Sequence, residues 1–158
     1  EQRRQATAAC LKGLYFMCGG VGGPEEYLRS VEAFDPHLGR WRSLPPMASP
    51  RAESAATASE SLGLLLVAGG SDGKGALRSV ECLDLAQERW DDVLAMQIPR
   101  MGATAVTLGD AVFICGGWHS RDAHTAKIEG FCLRTKRRLR VPNLPLQRTE
   151  FMAMSIPI

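Results

Sequence analysis

The chain has 158 residues, 45% of them hydrophobic and 23% charged, with a formal charge of +2 and a pI near 8.4. That is long enough for one domain with a hydrophobic core, and the composition is that of an ordinary globular protein rather than a disordered one. The charge is too mild to imply a nucleic-acid or acidic-membrane partner, and the longest apolar run, Leu64 to Ala68, is the length of a strand and not of a membrane span.

In chain order, the first 47 residues read as four short strands near 5–11, 13–19, 30–36 and 40–47, here lettered a to d, with glycine- or proline-rich turns between them. The b strand closes on a glycine pair, Leu14-Tyr-Phe-Met-Cys-Gly19-Gly20. The c strand carries Val31-Glu32-Ala-Phe-Asp35, Trp41 follows, and the unit ends at Met47-Ala-Ser-Pro-Arg51. The same order then returns. Small residues from Ala52 to Ala58 lead to Leu64-Leu-Leu-Val-Ala-Gly69-Gly70, Val80-Glu81-Cys-Leu-Asp84, Trp90 and Met96-Gln-Ile-Pro-Arg100. A third unit has Ala111-Val-Phe-Ile-Cys-Gly116-Gly117 and, more loosely, Ile128-Glu129-Gly-Phe131. There Cys132 stands for the aspartate, Leu139 lies near the tryptophan's place, and Arg148 ends the unit. The glycine pairs begin at 19, 69 and 116, and the arginines Arg4, Arg51, Arg100 and Arg148 keep the same period. A repeat of nearly 50 residues with four strands is a propeller blade, and its short apolar runs rich in Gly, Val and Phe exclude a helical repeat.

These markers resemble the kelch family over essentially the whole chain. The expected fold is all-β, a kelch β-propeller segment of three four-stranded antiparallel blades plus the first strand of a fourth. The blades are expected at about 4–48, 51–97 and 100–146, with the strand at about 149–156. The resemblance implies that strand a lies innermost and d outermost. It also implies that the b–c and d–a loops share one rim, where kelch-like proteins capture a protein or peptide segment. The stretch Ser30 to Pro36 through Trp41 to Met47 is most like kelch-like substrate adaptors of cullin-based ubiquitin ligases. In those, a BTB domain that this stretch does not contain makes the cullin link.

Periodic residues are read as structural. Gly19, Gly20, Gly69, Gly70, Gly116 and Gly117 permit close backbone approach. Trp41 and Trp90 are expected to fill volume between blades. Glu32, Glu81 and Glu129 are expected to pair with Arg51, Arg100, Arg148 or backbone groups rather than act as acids or bases, since an active site occurs once and not per blade. Rim positions that vary between blades are the candidate partner-binding residues: Glu53, Ser71, Asp72, Met101, Trp118, His119, Arg121 and Glu150. With Glu25 and Glu26 they lean acidic, relieved by Lys74 and Arg121, which favours a partner segment of basic character. His119 and His124 lack a third ligand at a fitting spacing, so no metal and no cofactor is expected. The run Arg134-Thr-Lys-Arg-Arg-Leu-Arg140 is read as a solvated c–d turn.

A catalytic kelch protein of the galactose-oxidase type needs a tyrosine and histidine copper site. Only Tyr15 and Tyr27 are present, and Tyr15 is expected in the core of the b strand or against a sheet neighbour. The expectation is a non-enzyme; an actin-binding or scaffolding role is the alternative to the ligase adaptor. Residues 1–9 show no apolar signal segment, and five cysteines without a Cys-x-x-Cys suit reduced thiols in the cytoplasm, or the nucleus. Three blades make about half of a six-bladed ring. The reading favours a piece of a larger propeller over two copies joining as half-rings, in which case the chain would be a homodimer.

Overall fold

The computed structural model describes residues 2–120, 122–149, 151 and 153. Its strands are β1 (Thr7–Leu11), β2 (Leu14–Cys18), β3 (Val31–Asp35), β4 (Arg40–Leu44), β5 (Ala55–Ser59), β6 (Leu64–Ala68), β7 (Val80–Asp84), β8 (Arg89–Asp92), β9 (Thr104–Leu108), β10 (Ala111–Cys115), β11 (Ile128–Cys132) and β12 (Arg137–Leu139). They form three antiparallel sheets, β1-β2-β3-β4, β5-β6-β7-β8 and β9-β10-β11-β12, each a meander in chain order. The three expected blades are therefore present. Most of the expected fourth strand falls outside the described residues.

Local chemistry sets the turns. Lys12 and Gly13 both take positive φ, 51° and 75°, which makes the two-residue hairpin whose twist matches its strands. In the c–d turns the Asp35 carboxylate accepts from the N–H groups of His37 and Leu38, at 2.9 and 3.1 Å, and Asp84 does the same for Ala86 and Gln87. Cys132 takes this place in the third blade. There the Thr135 hydroxyl, with the backbone N–H groups of Thr135 and Arg134, donates to its sulfur and holds the thiol below its usual range.

The a strands β1, β5 and β9 stand side by side, so they line the axis where blades converge. Thr57 and Thr107 hydroxyls meet there at 2.9 Å. Their small side chains, Ala, Thr and Ser, allow the close approach that a taper demands. Apolar packing sits between blades rather than within one. Leu11, Phe16, Val31 and Leu44 of the first blade pack with Leu65, Val67 and Leu83 of the second, and Trp90 lies against them. On the second blade's other face, Leu66, Val80 and Cys82 pack with Val112, Ile114 and Phe131 of the third. This is why β6 is apolar at every position: both of its faces are covered.

One arginine per blade joins these layers. Arg51 is fully buried, and its guanidinium donates to Gly69 O at 2.8 Å, to Ser79 Oγ at 2.7 Å and to Glu81 Oε1 at 2.5 Å, all within its own blade. Its backbone belongs to the blade before, because Arg51 N donates to Leu28 O and Arg51 O accepts from Gly20 N at 2.7 Å. Arg100 repeats this with Gly116 O, Lys127 O, Glu129, Leu77 O and Gly70 N. The glycine pair follows from that contact. A Cβ on Gly19 would lie 2.1 Å from Arg51 O, and on Gly69 2.3 Å from Arg100 O, and both residues have positive φ. Glu81 also accepts from Ala48 N and Ser49 N in the preceding connector, so the expected tie between blades is present in the described pair.

Several expectations meet a different outcome. The first repeat's arginine is Arg3, not Arg4: Arg3 donates to Gly19 O, Ser30 O and Glu32, the pattern of Arg51 and Arg100. Trp90 does bridge blades, its Nε1 donating to Pro45 O at 2.7 Å, while Trp41 lies against Phe34 and is 53% exposed within these residues. In the third blade the tryptophan's place is held by Arg138 and not Leu139. Phe131 pairs with Arg138 as Leu83 pairs with Trp90, and the guanidinium lies over the Phe131 ring while bonding Glu129 and Ala95 O. The basic run is thus only partly a solvated turn, since Arg134 also pairs with Asp110 at 2.8 Å. Finally, Tyr15 is not core: it is 52% exposed on the first blade's free face.

Removing a buried arginine leaves its carboxylate unpaired, so Arg51→Met should lower unfolding free energy by about 3 kcal/mol or more in urea titration. Arg3→Met should cost less, because Glu32 reaches solvent where Glu81 does not, at 23% against 2% exposure. Cys132→Asp should raise the thermal midpoint by a few degrees in calorimetry, since it restores the carboxylate that caps the other two c–d turns.

Candidate functional site

The glycine pairs place the residue after them beside the residue after each arginine. Arg4 and Val21 exchange two backbone hydrogen bonds, at 2.9 and 2.8 Å, as do Ala52 with Ser71 and Met101 with Trp118. Each b–c loop then folds back, bridging Val21 to Tyr27, Ser71 to Ala76 and Trp118 to His124. The d–a and b–c loops therefore share one rim, as expected, joined in three spokes of main chain. The backbone is the same in each spoke and the side chains are not. The first offers a cation and an aromatic, the second a hydroxyl and small groups, the third a thioether, an indole and an imidazole.

Within the spokes lies a second ring nearer the axis. Glu53 N donates to Gln5 O at 2.9 Å and Gly102 N to Glu53 O at 3.0 Å, with left-handed φ of 55°, 52° and 60° at Gln5, Glu53 and Gly102. Gln5 Nε2 donates to Glu53 Oε1 at 2.6 Å. Met101 thus aligns with Arg4 and Ala52, and Gly102 is the counterpart of Glu53. The strained φ at Gln5 and Glu53 is held by this hydrogen-bonded ring.

The expected site residues divide accordingly. Ser71, Met101 and Trp118 lie on the spokes, half-buried with their side chains at the rim, and Glu53 lies on the inner ring. His119 and His124 are exposed in the third loop. Arg121 and Glu150 lie outside the described residues. Asp72 has local work: its Oδ1 accepts from Lys74 N at 2.9 Å and Gly75 N at 3.1 Å, and the first of these bonds above all holds its carboxyl below the usual range. Tyr27 covers Gly73 of the next loop so closely that a Cβ there would meet its ring at 2.7 Å. Arg4 and Val21 were not singled out as rim residues from sequence. The signals for them were the places after the arginine and after the glycine pair, the first obscured by taking Arg4 itself as the repeat's arginine.

Around the rim, no group of three or more His, Cys, Asp or Glu gathers among the described residues as a metal site would require. All five cysteines are unbridged, and burial pushes the Cys18 and Cys82 thiols up to about 12. No helix among the described residues is long and apolar enough to cross a membrane.

Arcs of four-stranded blades with inter-blade cores and a loop-built rim define a β-propeller segment. The sequence model of the kelch motif matches residues 2–48 and 54–96, and the chain belongs to the kelch-repeat family. It is 32% identical over 143 residues to Kelch domain-containing protein 8B of Homo sapiens, covering 83% of this chain and 40% of that protein. It is 30% identical over 125 residues to Kelch-like protein 26 of Danio rerio, covering 75% of this chain and 20% of the relative. The chain therefore spans less than half the length of the curated relatives it matches. Among solved structures, YjhT superposes with a TM-score of 0.76 at 17% identity, over 90% of this chain and 53% of its own. The family match stops at residue 96, before the blade in which Arg138 and Cys132 replace the usual residues.

If Asp72 serves the turn, Asp72→Ala should speed amide hydrogen exchange at Lys74 and Gly75 while leaving the protection of β6 and β7 unchanged.

Proposed function

We propose that this chain is a non-catalytic protein-interaction module whose rim of b–c and d–a loops captures an extended segment of a partner protein. One observation carries this reading: three spokes with identical backbone geometry present different side chains, Arg4 and Tyr27, then Ser71, then Met101, Trp118 and His124. A conserved frame with variable tips is the arrangement of a recognition surface, with loops positioned by a rigid scaffold. A half-buried indole beside a thioether is a suitable anchor. The repeated carboxylates Glu81 and Glu129, by contrast, are engaged with a buried arginine and with the preceding connector, which suits a structural role.

The relatives named kelch-like proteins support a finer reading, substrate recognition for a cullin-based ubiquitin ligase. The cullin contact would be made by a domain outside these residues. Actin binding or scaffolding is the alternative, and a pull-down with the longer protein that recovers a cullin complex favours the adaptor. Five unbridged cysteines, three of them buried, suit a reducing cytoplasmic or nuclear setting.

The rim's exposed Glu25 and Glu26, with Asp72 and Glu53, favour a partner segment carrying Lys or Arg. Reversing the charge of Glu53 and Asp72 together should weaken binding of a basic peptide by fluorescence anisotropy. Glu25→Lys with Glu26→Lys should do so without touching the Asp72 turn. Unchanged affinity in both pairs would sink the acidic-rim reading.

A further inference from the structure

The rim is bridged by side chains at one junction between blades and left open at the next. Between the first and second blades, Gln5 Nε2 donates to Glu53 Oε1 at 2.6 Å across the inner ring. Farther along the same junction the Tyr27 ring lies on Gly73 of the next b–c loop, so close that a Cβ there would sit 2.7 Å from its Cε2. Between the second and third blades both positions change. Gly102 follows Glu53 in the inner ring with the same left-handed backbone, φ 60° against 52°, but offers no side chain. Ala76 stands where Tyr27 does, since Ser71 bridges to Ala76 as Val21 bridges to Tyr27, and it stops at Cβ. The main-chain frame is shared, so the difference is side-chain volume: the second junction lacks the ring that covers the first.

The two walls of that cleft are unlike. On the second blade they are the small Ser71 and Ala76. On the third they are Met101 and Trp118, which exchange backbone hydrogen bonds at 2.8 and 2.9 Å and are both half-buried. The counterparts of this pair are Ala52 with Ser71 and Arg4 with Val21, so among the described spokes the large apolar wall belongs to this junction. We infer that the cleft between the second and third spokes takes an aromatic side chain of the captured segment, supplied by the partner as Tyr27 is supplied by the chain itself one junction earlier. This rests on the rim-capture reading above. A thioether and an indole are both favourable neighbours for an aromatic ring, and one anchored ring fixes the register of an otherwise extended segment. Charge selects its neighbours. In sequence, the two loops and the inner ring carry Glu53, Asp72 and Asp122 against Lys74 and Arg121, so Lys or Arg flanks the aromatic residue.

Two probes test this on the full chain. N-acetyltyrosinamide reports on the cleft alone. Its titration, followed by NMR, should move the Met101 methyl and Trp118 indole N–H signals, while the methyls of Met47 and Met96, buried between blades, stay still. Two basic peptides alike except for a central tyrosine or alanine report on capture, and anisotropy should favour the tyrosine peptide by about fivefold. Ala76→Tyr gives the second spoke the residue of the first and should abolish both effects. Met101→Arg gives the third spoke the residue of the first at that place and should do the same without adding a ring; circular dichroism checks that each variant folds. Equal affinity for the two peptides, or probe shifts that survive both variants, would overturn the inference and leave rim capture standing. Shifts at Met101 and Trp118 with neither peptide bound would support the aromatic cleft and overturn the capture reading instead.

Discussion

The structure depends on an arginine that belongs to two blades at once. The backbone of Arg51 is hydrogen-bonded into the first blade through Leu28 and Gly20, while its guanidinium is spent inside the second on Gly69, Ser79 and Glu81. A buried cation is costly unless paired and fully hydrogen-bonded, so this residue demands a carboxylate and two main-chain carbonyls in fixed positions. The glutamate on strand c and the glycine pair ending strand b meet that demand. The glycine pair does so doubly, accepting from one arginine and admitting the carbonyl of the next where a Cβ would collide. The spacing of blades, the approach of a strands at the axis and the position of the rim all follow from this joint.

The same joint explains what the ends of the arc look like. Arg3 has the side-chain contacts of its kind, and Arg148 has the backbone contact, through Gly117 N, but an exposed side chain. Third-blade departures are compensated in kind. Where an indole spans two blades in the second repeat, Arg138 does so in the third with a guanidinium over Phe131, keeping both the hydrogen bond to the preceding blade and contact with the ring below. Degeneracy in sequence here is not loss of the contact.

Much of this was legible from residue order alone. Glycine pairs, Val-Glu-x-x-Asp strands and Met-x-x-Pro-Arg endings marked four strands per repeat, and in the first repeat their bounds to within about three residues. What misled was local ambiguity. Arg3 and Arg4 are adjacent, and only the partner contacts tell which is the repeat's arginine. Likewise Arg138 and Leu139 are adjacent and point to opposite faces of a strand, so a shift of one residue exchanges a solvent position for an inter-blade one. Of the candidate rim residues, Ser71, Met101 and Trp118 were identifiable because they break the repeat. Arg4 escaped because its place depends on the phase of that first arginine.

Taken by itself, the sequence determined the repeat, the four strands of each blade and the residues that hold blades together, because those features recur and recurrence is visible in one dimension. Only the tertiary structure decided which face each residue serves. Trp41 and Trp90 have the same sequence context, yet Trp90 is half-buried with its Nε1 bonded to Pro45 O and Trp41 lies open, because a neighbour is a fact of three dimensions. Asp72 looked like a variable rim charge and proved to be a turn's cap as well, since a carboxylate's hydrogen-bond partners are set by backbone direction and not by its place in the repeat.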